Sequence, residues 1–378
     1  MRQFSVTIYG LPGQFSVTFN SGLSACQKGT ISYAISRSRS KYLASFQSEL
    51  TVSDRIWNNH GSLKLIMDRA SYANTRTVTP LRESTCAPAS LGCQVIVPLH
   101  RALDAPHTTL LKHNLSKLRR WPATLIGPHS KRKMLNDTCE RLEQDTGTRI
   151  AVKYFADQFF RDRPSYSALL MSKGLYSAFA EHSHILICQP DAIILSDRLS
   201  EWIETDYSFV GAPHFKGYQS PVRPLEFLSS LNGGLSLRHV GDAQRALRNI
   251  VLLRSKALAL SPQATSTFRC INRIMPHLRL VAVAPKLNED IFWTEIVPKV
   301  MPEFRIPSPS VALKFAFEAC PEELYEVAGC QLPFGGHAIE RYSLRFWHRH
   351  LPPSVAAALE SMDDQETIPQ KDDKTTQT

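Results

Sequence analysis

The chain has 378 residues, of which 43% are hydrophobic, enough for one large globular domain or two smaller ones. No run approaches the roughly 18–20 apolar residues of a membrane helix, and the N-terminus lacks the apolar segment of a secretory signal peptide. The net charge of +10 is compatible with nucleic acid, an anionic membrane surface or a phosphorylated small molecule as partner. Because the eight cysteines show no CxxC pair, they are typical of reduced thiols in an intracellular, cytoplasmic protein.

Three regions of the chain differ in composition. Residues 1–90 hold ten Lys/Arg and four Asp/Glu, and no acidic residue precedes Glu49. This basic, Ser/Thr-rich composition is typical of an organelle transit peptide or of a poorly ordered extension. Residues 351–378 hold six acids and two lysines, which predicts an acidic disordered tail. We therefore expect residues 91–350 to form the folded domain.

Within that domain, apolar β-branched runs alternate with helical patterns. The predicted strands are 93–99, 123–128, 149–155 and 185–188, and the predicted helices are 107–121, 130–145 and 165–182. Such alternation indicates βαβ units. Short strands at 207–213 and 233–238 follow in a mixed pattern. The sequence predicts a Rossmann-like α/β fold with a mixed, mainly parallel sheet and helices on both faces.

The segment ILICQPDAIIL (185–195) is the first that could carry chemistry. A buried strand delivers Gln189 and Asp191 to its carboxyl end, where open α/β sheets bind their ligands. A carboxylate placed there can hold a divalent cation. The alternative is a strand-end turn in which Asp191 caps backbone amides.

The segment LNGGLSLR (231–238) combines an amide side chain with two glycines. Gly233 and Gly234 allow the backbone to approach a ligand closely, and Asn232 supplies both a donor and an acceptor. The alternative is an ordinary hairpin turn, because Asn-Gly is the strongest hairpin signal.

The segment LNEDIFW (287–293) places two acids where a helix should begin. Glu289 and Asp290, which precede the aromatic pair Phe292-Trp293, could place one carboxylate into a cleft as a general base. Acids at this position are more often helix caps.

The segment LPFGGHAIERY (332–342) places His337 directly after two glycines. A histidine in such a loop is suited to a metal or a phosphate, although a lone histidine usually binds neither.

Taken in order, these segments resemble a glycosyltransferase-like family catalogued as a domain of unknown function. The matching motifs are QPDAIIL (189–195), FVGAP (209–213), NGGLSLR (232–238), EDIFW (289–293), LPFGGHAI (332–339) and FW (346–347), with ALKFAFE (312–318) also similar. The sequence departs from the family pattern at four positions, which are His214, Leu231, Gly336 and Ile339.

The resemblance implies a GT-A-like domain that transfers a sugar from a nucleotide diphosphate sugar to a glycan or lipid-linked acceptor. It implies a divalent cation, Mn²⁺ or Mg²⁺, held by Asp191 and His337. It casts Asp290 as the catalytic base, with Glu289 beside it. The donor- and substrate-binding residues that it implies are Gln189, Asp191, Asn232, Gly233, Gly234 and Trp293.

Two other functions of the same fold stay open. A catalytically inactive carbohydrate- or nucleotide-binding module would explain the departures from the family pattern. A sugar nucleotidyltransferase usually opens with a glycine-rich basic signature, which residues 98–106 lack. Nucleic acid is not expected as a partner, because no recognition motif accompanies the positive charge. Peripheral contact with a membrane surface also stays open.

Overall fold

The computed structural model describes residues 2–11, 13–21, 62–65, 91–218, 220–260, 262–274 and 279–363. The chain divides into two compact units, the larger formed by residues 88–244 and 288–378 and the smaller by residues 1–87 and 245–287. Most of the predicted N-terminal extension, and the predicted tail from residue 364 onward, lie outside the described residues. Their predicted disorder stays a prediction.

Fourteen strands occur in the described part of the chain. They are β1 (Arg2–Leu11), β2 (Gly13–Ser21), β3 (Ser62–Leu65), β4 (Leu91–Pro98), β5 (Ala123–Pro128), β6 (Ile150–Phe155), β7 (His182–Cys188), β8 (Ile193–Ile194), β9 (Phe209–Phe215), β10 (Phe227–His239), β11 (Ile250–Arg254), β12 (Arg279–Val283), β13 (Ala316–Phe317) and β14 (Gly335–Gly336).

The α-helices of the same described ranges vary from three to fifteen residues. They are α1 (Ala105–Lys117), α2 (Arg132–Thr146), α3 (Arg163–Leu170), α4 (Lys173–Ser177), α5 (Leu199–Ile203), α6 (Val240–Asn249), α7 (Lys256–Ala259), α8 (Pro262–Ile274), α9 (Glu289–Ile291), α10 (Val297–Val300), α11 (Pro309–Ala312), α12 (Pro321–Val327), α13 (Leu344–His348) and α14 (Pro353–Asp363). A π-helical turn, Phe292–Ile296, joins α9 to α10. None of the described helices is long and apolar enough to cross a bilayer.

A six-stranded sheet in the order β6-β5-β4-β7-β10-β9 forms the centre of the larger unit. The pairs β5–β6, β4–β5 and β4–β7 are parallel, whereas β10 is antiparallel to both of its neighbours. Five of the six strands therefore run in one direction. This confirms the predicted α/β class with a mixed, mainly parallel sheet.

The central strands are covered on both faces, which explains their continuous apolar runs. Val95, Ile96 and Val97 are successive residues of β4, so their side chains point to opposite faces, yet each is at most 1% exposed. Leu111 of α1 and Leu135 of α2 belong to the core cluster on one face. The burial pattern fixes the sheet as the middle layer of the unit.

Three boundaries differ from the sequence analysis. The predicted helix 165–182 is divided into α3 and α4, because Ser172 caps a new helix by accepting a hydrogen bond from the backbone N–H of Leu175. The folded domain continues past residue 350, since α14 buries Val355 and Leu359 in an apolar cluster. Residues 245–287 belong to the smaller unit and not to the predicted domain.

The smaller unit contains two sheets. Strands β2, β1 and β3 form one sheet, in which β1 is antiparallel to β2 and parallel to β3. The repeated QFSVT segments of β1 and β2 pair with each other, Val6 opposite Val17. Strands β11 and β12 form a separate parallel pair, accompanied by α7 and α8.

An ion-pair cluster holds the beginning of α1. Asp104 caps the helix by accepting a hydrogen bond from the backbone N–H of His107. The His107 ring lies 2.7 Å from Asp104 through Nδ1 and 3.0 Å from Glu340 through Nε2. The hydrogen bond to Glu340 outweighs burial, and together with Asp104 it raises the pKa of His107 to about 9. The cluster thus joins the loop after β4 to the segment that follows β14.

This cluster generates a prediction about stability and pH. The folded-state pKa of His107 lies above its usual value, so its stabilising effect is complete below about pH 6.5 and is lost as the pH rises through about 9. We expect His107→Gln to lower the free energy of unfolding by roughly 1–2 kcal/mol at pH 6 and much less at pH 9.5. Denaturant unfolding at both pH values measures this, with exposed His100→Gln as the control. An equal loss at both pH values would contradict the ion-pair account.

Candidate functional site

The register of β10 against β7 brings the first two candidate segments together. Leu235 lies opposite Cys188, so the NGG segment lies beside the residues that follow β7. The backbone N–H of Gln189 donates to the carbonyl of Gly234 at 3.1 Å. The NGG segment is therefore not a hairpin turn; it lies within β10 at an irregularity in the pairing with β9. Such bulges often occur beside active sites.

A second, small sheet places the other candidate residues. Strand β14 pairs in parallel with β13 and antiparallel with β8. His337 directly follows β14, Glu318 directly follows β13, and Asp191 shortly precedes β8. Main-chain pairing alone therefore brings three residues from distant parts of the chain to one place.

The His337 ring lies between acidic and amide oxygens. Its Nε2 atom is 3.2 Å from Oε1 of Gln189 and 3.4 Å from Oδ1 of Asp191. Its Nδ1 atom is 3.3 Å from Oε2 of Glu318, which is itself buried. Within the described ranges, no three His, Cys, Asp or Glu side chains have metal-binding geometry; the third polar group beside His337 and Asp191 is the amide of Gln189.

The charges around His337 shift its proton affinity strongly. Burial disfavours the charged ring, but Asp191 and Glu318 on its two sides raise the pKa of His337 to about 10. The effect is mutual: burial opposes ionisation of Asp191, and the imidazolium of His337 nevertheless lowers the pKa of that carboxyl. In the absence of a metal ion, both ring nitrogens of His337 are therefore protonated at neutral pH, and the ring carries a positive charge.

Gly234 provides the space that the ring occupies. A Cβ atom at this position would lie 2.0 Å from Nε2 of His337, well inside contact distance. The side chain of Asn232 fixes the local backbone, since its Oδ1 accepts a hydrogen bond from the N–H of Gly234 at 2.7 Å. The role of Asn232 in donor binding stays a prediction.

Glu289 forms a buried ion pair and is not placed as a catalytic base, a correction to the sequence analysis. Its carboxylate contacts the guanidinium of Arg238 through both oxygens: Oε2 lies 3.0 Å from Nη1, and Oε1 accepts a hydrogen bond from Nη2 at 3.1 Å. Burial raises the pKa of Glu289 and the guanidinium opposes the rise. A Cβ at Gly233 would lie 1.9 Å from Oε1 of Glu289, so this glycine makes room for the pair. Gly233 therefore provides the space that the Glu289 side chain occupies, whereas the sequence analysis predicted that Gly233 contacts a ligand.

Asp290 is positioned differently from its neighbour. The N-cap residue of α9 is Asn288, and Oδ1 of Asp290 accepts a hydrogen bond from the backbone N–H of the next residue, Ile291, at 2.8 Å. Its negative charge acts on His214 and Tyr218, as that of Glu318 does. Asp290 therefore lies on the side of the site that holds Glu318.

Trp293 is a core residue, which corrects its prediction as a substrate-binding residue. The side chain is 1% exposed and stacks on Phe304 with ring centroids 5.7 Å apart. Its indole N–H donates to the carbonyl of Leu170 at 3.1 Å. Since the aromatic faces are covered by Phe304, Tyr176 and Phe292, no face is left for a sugar.

Three functional candidates escaped the sequence analysis. Within the described residues, the hydroxyls of Tyr166 and Tyr218 are buried near Gln189 and Glu318 without a well-formed hydrogen bond, and Oε2 of Glu318 lies 3.3 Å from Nδ1 of His337 without one. Such atoms are rare in proteins, so each needs an explanation, such as water or a ligand. The family-like run ALKFAFE ends in Glu318 and could have identified it. Tyr166 lies in SYSALLMS (165–172), a run that also resembles the family, whereas nothing in the local sequence marks Tyr218.

Comparison with protein families decides the identity of the domain. A family model described as "Protein of unknown function (DUF5672)" matches residues 149–337, half of the chain. The chain belongs to this family. The matched range begins at β6 and ends at His337, so it contains all the candidate residues. No curated protein sequence matches the chain.

Several solved structures of glycosyltransferases resemble this family member. The galactosyltransferase LgtC, solved with donor and acceptor sugar analogues, has a TM-score of 0.37 at 11% identity, covering 73% of this chain and 98% of LgtC. The bifunctional glycosyltransferase WbbM has a TM-score of 0.39 at 10% identity, covering 75% and 51%. GlyE of Streptococcus pneumoniae TIGR4 has 0.34 at 10%, covering 73% and 64%. Similarity this low carries no information about substrates.

The buried ion pair generates a prediction that separates structural from catalytic roles. We expect Glu289→Gln to lower the free energy of unfolding by about 3–5 kcal/mol, because the guanidinium of Arg238 stays buried without a counter-charge. Denaturant unfolding measures the loss, with the surface substitution Glu295→Gln as the control. The double variant Arg238→Met/Glu289→Leu should recover much of it. A loss below about 1 kcal/mol would show that the pair does not stabilise the fold.

Proposed function

We propose that this protein is a glycosyltransferase that transfers a sugar from a nucleotide diphosphate sugar to a glycan or lipid-linked acceptor. The observation that carries the proposal is the convergence of Gln189, Asp191 and His337 at the carboxyl end of β7. Ligands of open α/β sheets bind at this edge. Positive charge at this place, supplied either by the protonated His337 or by a metal ion that replaces its proton, is suited to a diphosphate.

A divalent cation, Mn²⁺ or Mg²⁺, fits the residues that are present. Oε1 of Gln189 and Oδ1 of Asp191 lie 3.2 and 3.4 Å from Nε2 of His337, separations that suit donors sharing one ion at about 2.0–2.2 Å. Glu318 faces the other ring nitrogen, as an outer carboxylate does in many metal-bound histidines. When bound, the cation would neutralise the leaving diphosphate.

The remaining chemistry is assigned to residues of this chain. Asp290 would accept the proton of the acceptor hydroxyl as its oxygen bonds to the anomeric carbon and the bond to the diphosphate breaks. His214, whose pKa is lowered by burial, would be neutral beside that carboxylate. The buried Tyr166 and Tyr218 hydroxyls, which lie near Gln189 and Glu318, would donate hydrogen bonds to substrate. Glu289 would act only by holding α9, which begins with it, in place.

A catalytically inactive binding module is the second candidate. The observation in its favour is the departure of the sequence from the family motifs at His214, Leu231 and Ile339. A transfer assay with a panel of nucleotide diphosphate sugars and Mn²⁺ separates the two functions. Turnover with any donor supports the transferase, whereas nucleotide binding without turnover supports the module.

The metal and diphosphate assignment predicts the behaviour of Asp191→Asn. Because the carboxylate is assigned to the cation, its removal should weaken nucleotide diphosphate binding in Mn²⁺ roughly tenfold or more and reduce turnover as well. Isothermal titration with and without Mn²⁺ measures the first effect. Asp197→Asn, an exposed aspartate six residues away, is the matched control. Unchanged affinity would exclude Asp191 from the donor site.

The base assignment predicts a different pattern for Asp290→Asn. A general base acts on the acceptor in the transition state, so nucleotide affinity should stay nearly unchanged while kcat falls by roughly 10²–10⁴. Steady-state transfer and titration on the same variant measure both quantities. Glu295→Gln, a carboxylate on the same helical segment, is the control. Unchanged kcat would remove the base assignment and leave Asp290 a purely structural residue.

A further inference from the structure

A crevice of about 450 Å³ opens in the larger unit, away from the candidate active site. The end of α1 contributes His113 and Lys117, and the segment after α13 contributes Arg349 and His350. Gln189, Asp191 and His337 are not among its lining residues. The crevice is therefore separate from the proposed donor site, and the inference below does not depend on the proposed function.

The polar lining of this crevice has one sign of charge. No carboxylate lines it, and neither Lys117 nor Arg349 has an ion-pair partner in the described part of the chain. Burial and then the charge of Lys117 lower the pKa of His113, although its hydrogen bond to the carbonyl of Ile194 opposes this shift. Burial and then Arg349 lower the pKa of His350. Lys117 and Arg349 therefore carry the positive charge of the crevice, since the lowered pKa values leave both histidines mainly neutral at pH 7.

The crevice also has an apolar part. Leu195 and Leu332 line it together with the four basic side chains. Leu195 is held in place because its backbone N–H donates to the carbonyl of Phe334 at 2.9 Å. The volume lies within the range of small-molecule sites. A ligand that satisfies both parts of the lining has an anionic group and an apolar substituent.

We propose that this crevice binds a soluble phosphate monoester that carries an apolar substituent. Its phosphate would contact Lys117 and Arg349, whose exposed heads can reach it, since guanidinium and ammonium groups form strong charge-assisted hydrogen bonds to phosphate oxygens. Its apolar part would cover Leu195 and Leu332.

Isothermal titration with three probes tests both parts of the proposal. Hexyl phosphate carries both features, inorganic phosphate only the charge and hexanol only the chain. We expect hexyl phosphate to bind more tightly than either of the others. The double variant Lys117→Gln/Arg349→Gln should weaken hexyl phosphate binding roughly tenfold or more. Arg120→Gln/Arg345→Gln removes the same charge from exposed positions outside the crevice and should have no such effect.

Two further measurements distinguish this crevice from other sources of binding. Asp191→Asn should leave hexyl phosphate affinity unchanged, and a loss in that variant would move the ligand to the proposed donor site and overturn the inference. Sedimentation with phosphatidylcholine vesicles containing phosphatidic acid tests a membrane headgroup. Vesicle binding that depends on Lys117 and Arg349, without hexyl phosphate binding, would overturn it in favour of a membrane surface. Equal affinity of the crevice and control variants would also overturn it.

Discussion

The central constraint of this structure is a histidine ring held in a buried place between oxygen atoms on both sides. His337 can stay there because Asp191 and Glu318 supply the negative charge that burial would otherwise make costly. The ring also needs space, and Gly234 provides it by having no Cβ. The small sheet β13–β14–β8 holds the three distant segments that carry His337, Glu318 and Asp191 close together by backbone pairing.

A second buried charge, the Arg238–Glu289 pair, depends on the neighbouring glycine in the same way. The two glycines of one motif therefore serve two different charged groups, Gly233 the ion pair and Gly234 the imidazole. The pair joins β10 to the first residue of α9, so it sets where the next residue, Asp290, lies. Two adjacent acids consequently have different tasks, and adjacency in sequence is a poor guide to a shared role.

The sequence was sufficient for the sheet and for part of the site. Continuous apolar runs and helical spacing of apolar residues depend on which side chains are buried, so they predict strands and helices from local sequence. The strand Ala123–Pro128, for example, was predicted with the bounds that the structure shows. Gln189, Asp191 and His337 were selected because their motifs occur in order, and the structure brings the three side chains together, while their roles stay predictions. Trp293 and Glu289 were misjudged, because burial and ion pairing depend on partners such as Phe304 and Arg238 that are distant in sequence. The same reason concealed the roles of Tyr166 and Tyr218, because their hydroxyls lie near Gln189 and Glu318, which are distant in sequence.

The departures from the family pattern can now be weighed against the site. Leu231 and Ile339 are fully buried, so these changes alter packing and not the polar atoms around His337. At Gly336 the indole of Trp347 fills the space, since a Cβ there would lie 2.3 Å from the ring. Only His214 falls among groups assigned to chemistry, beside Tyr218 and under the charge of Asp290. In the proposed transferase, a change at that one position would alter the acceptor side and leave Gln189, Asp191 and His337 as they are, so the departures do not by themselves require an inactive module.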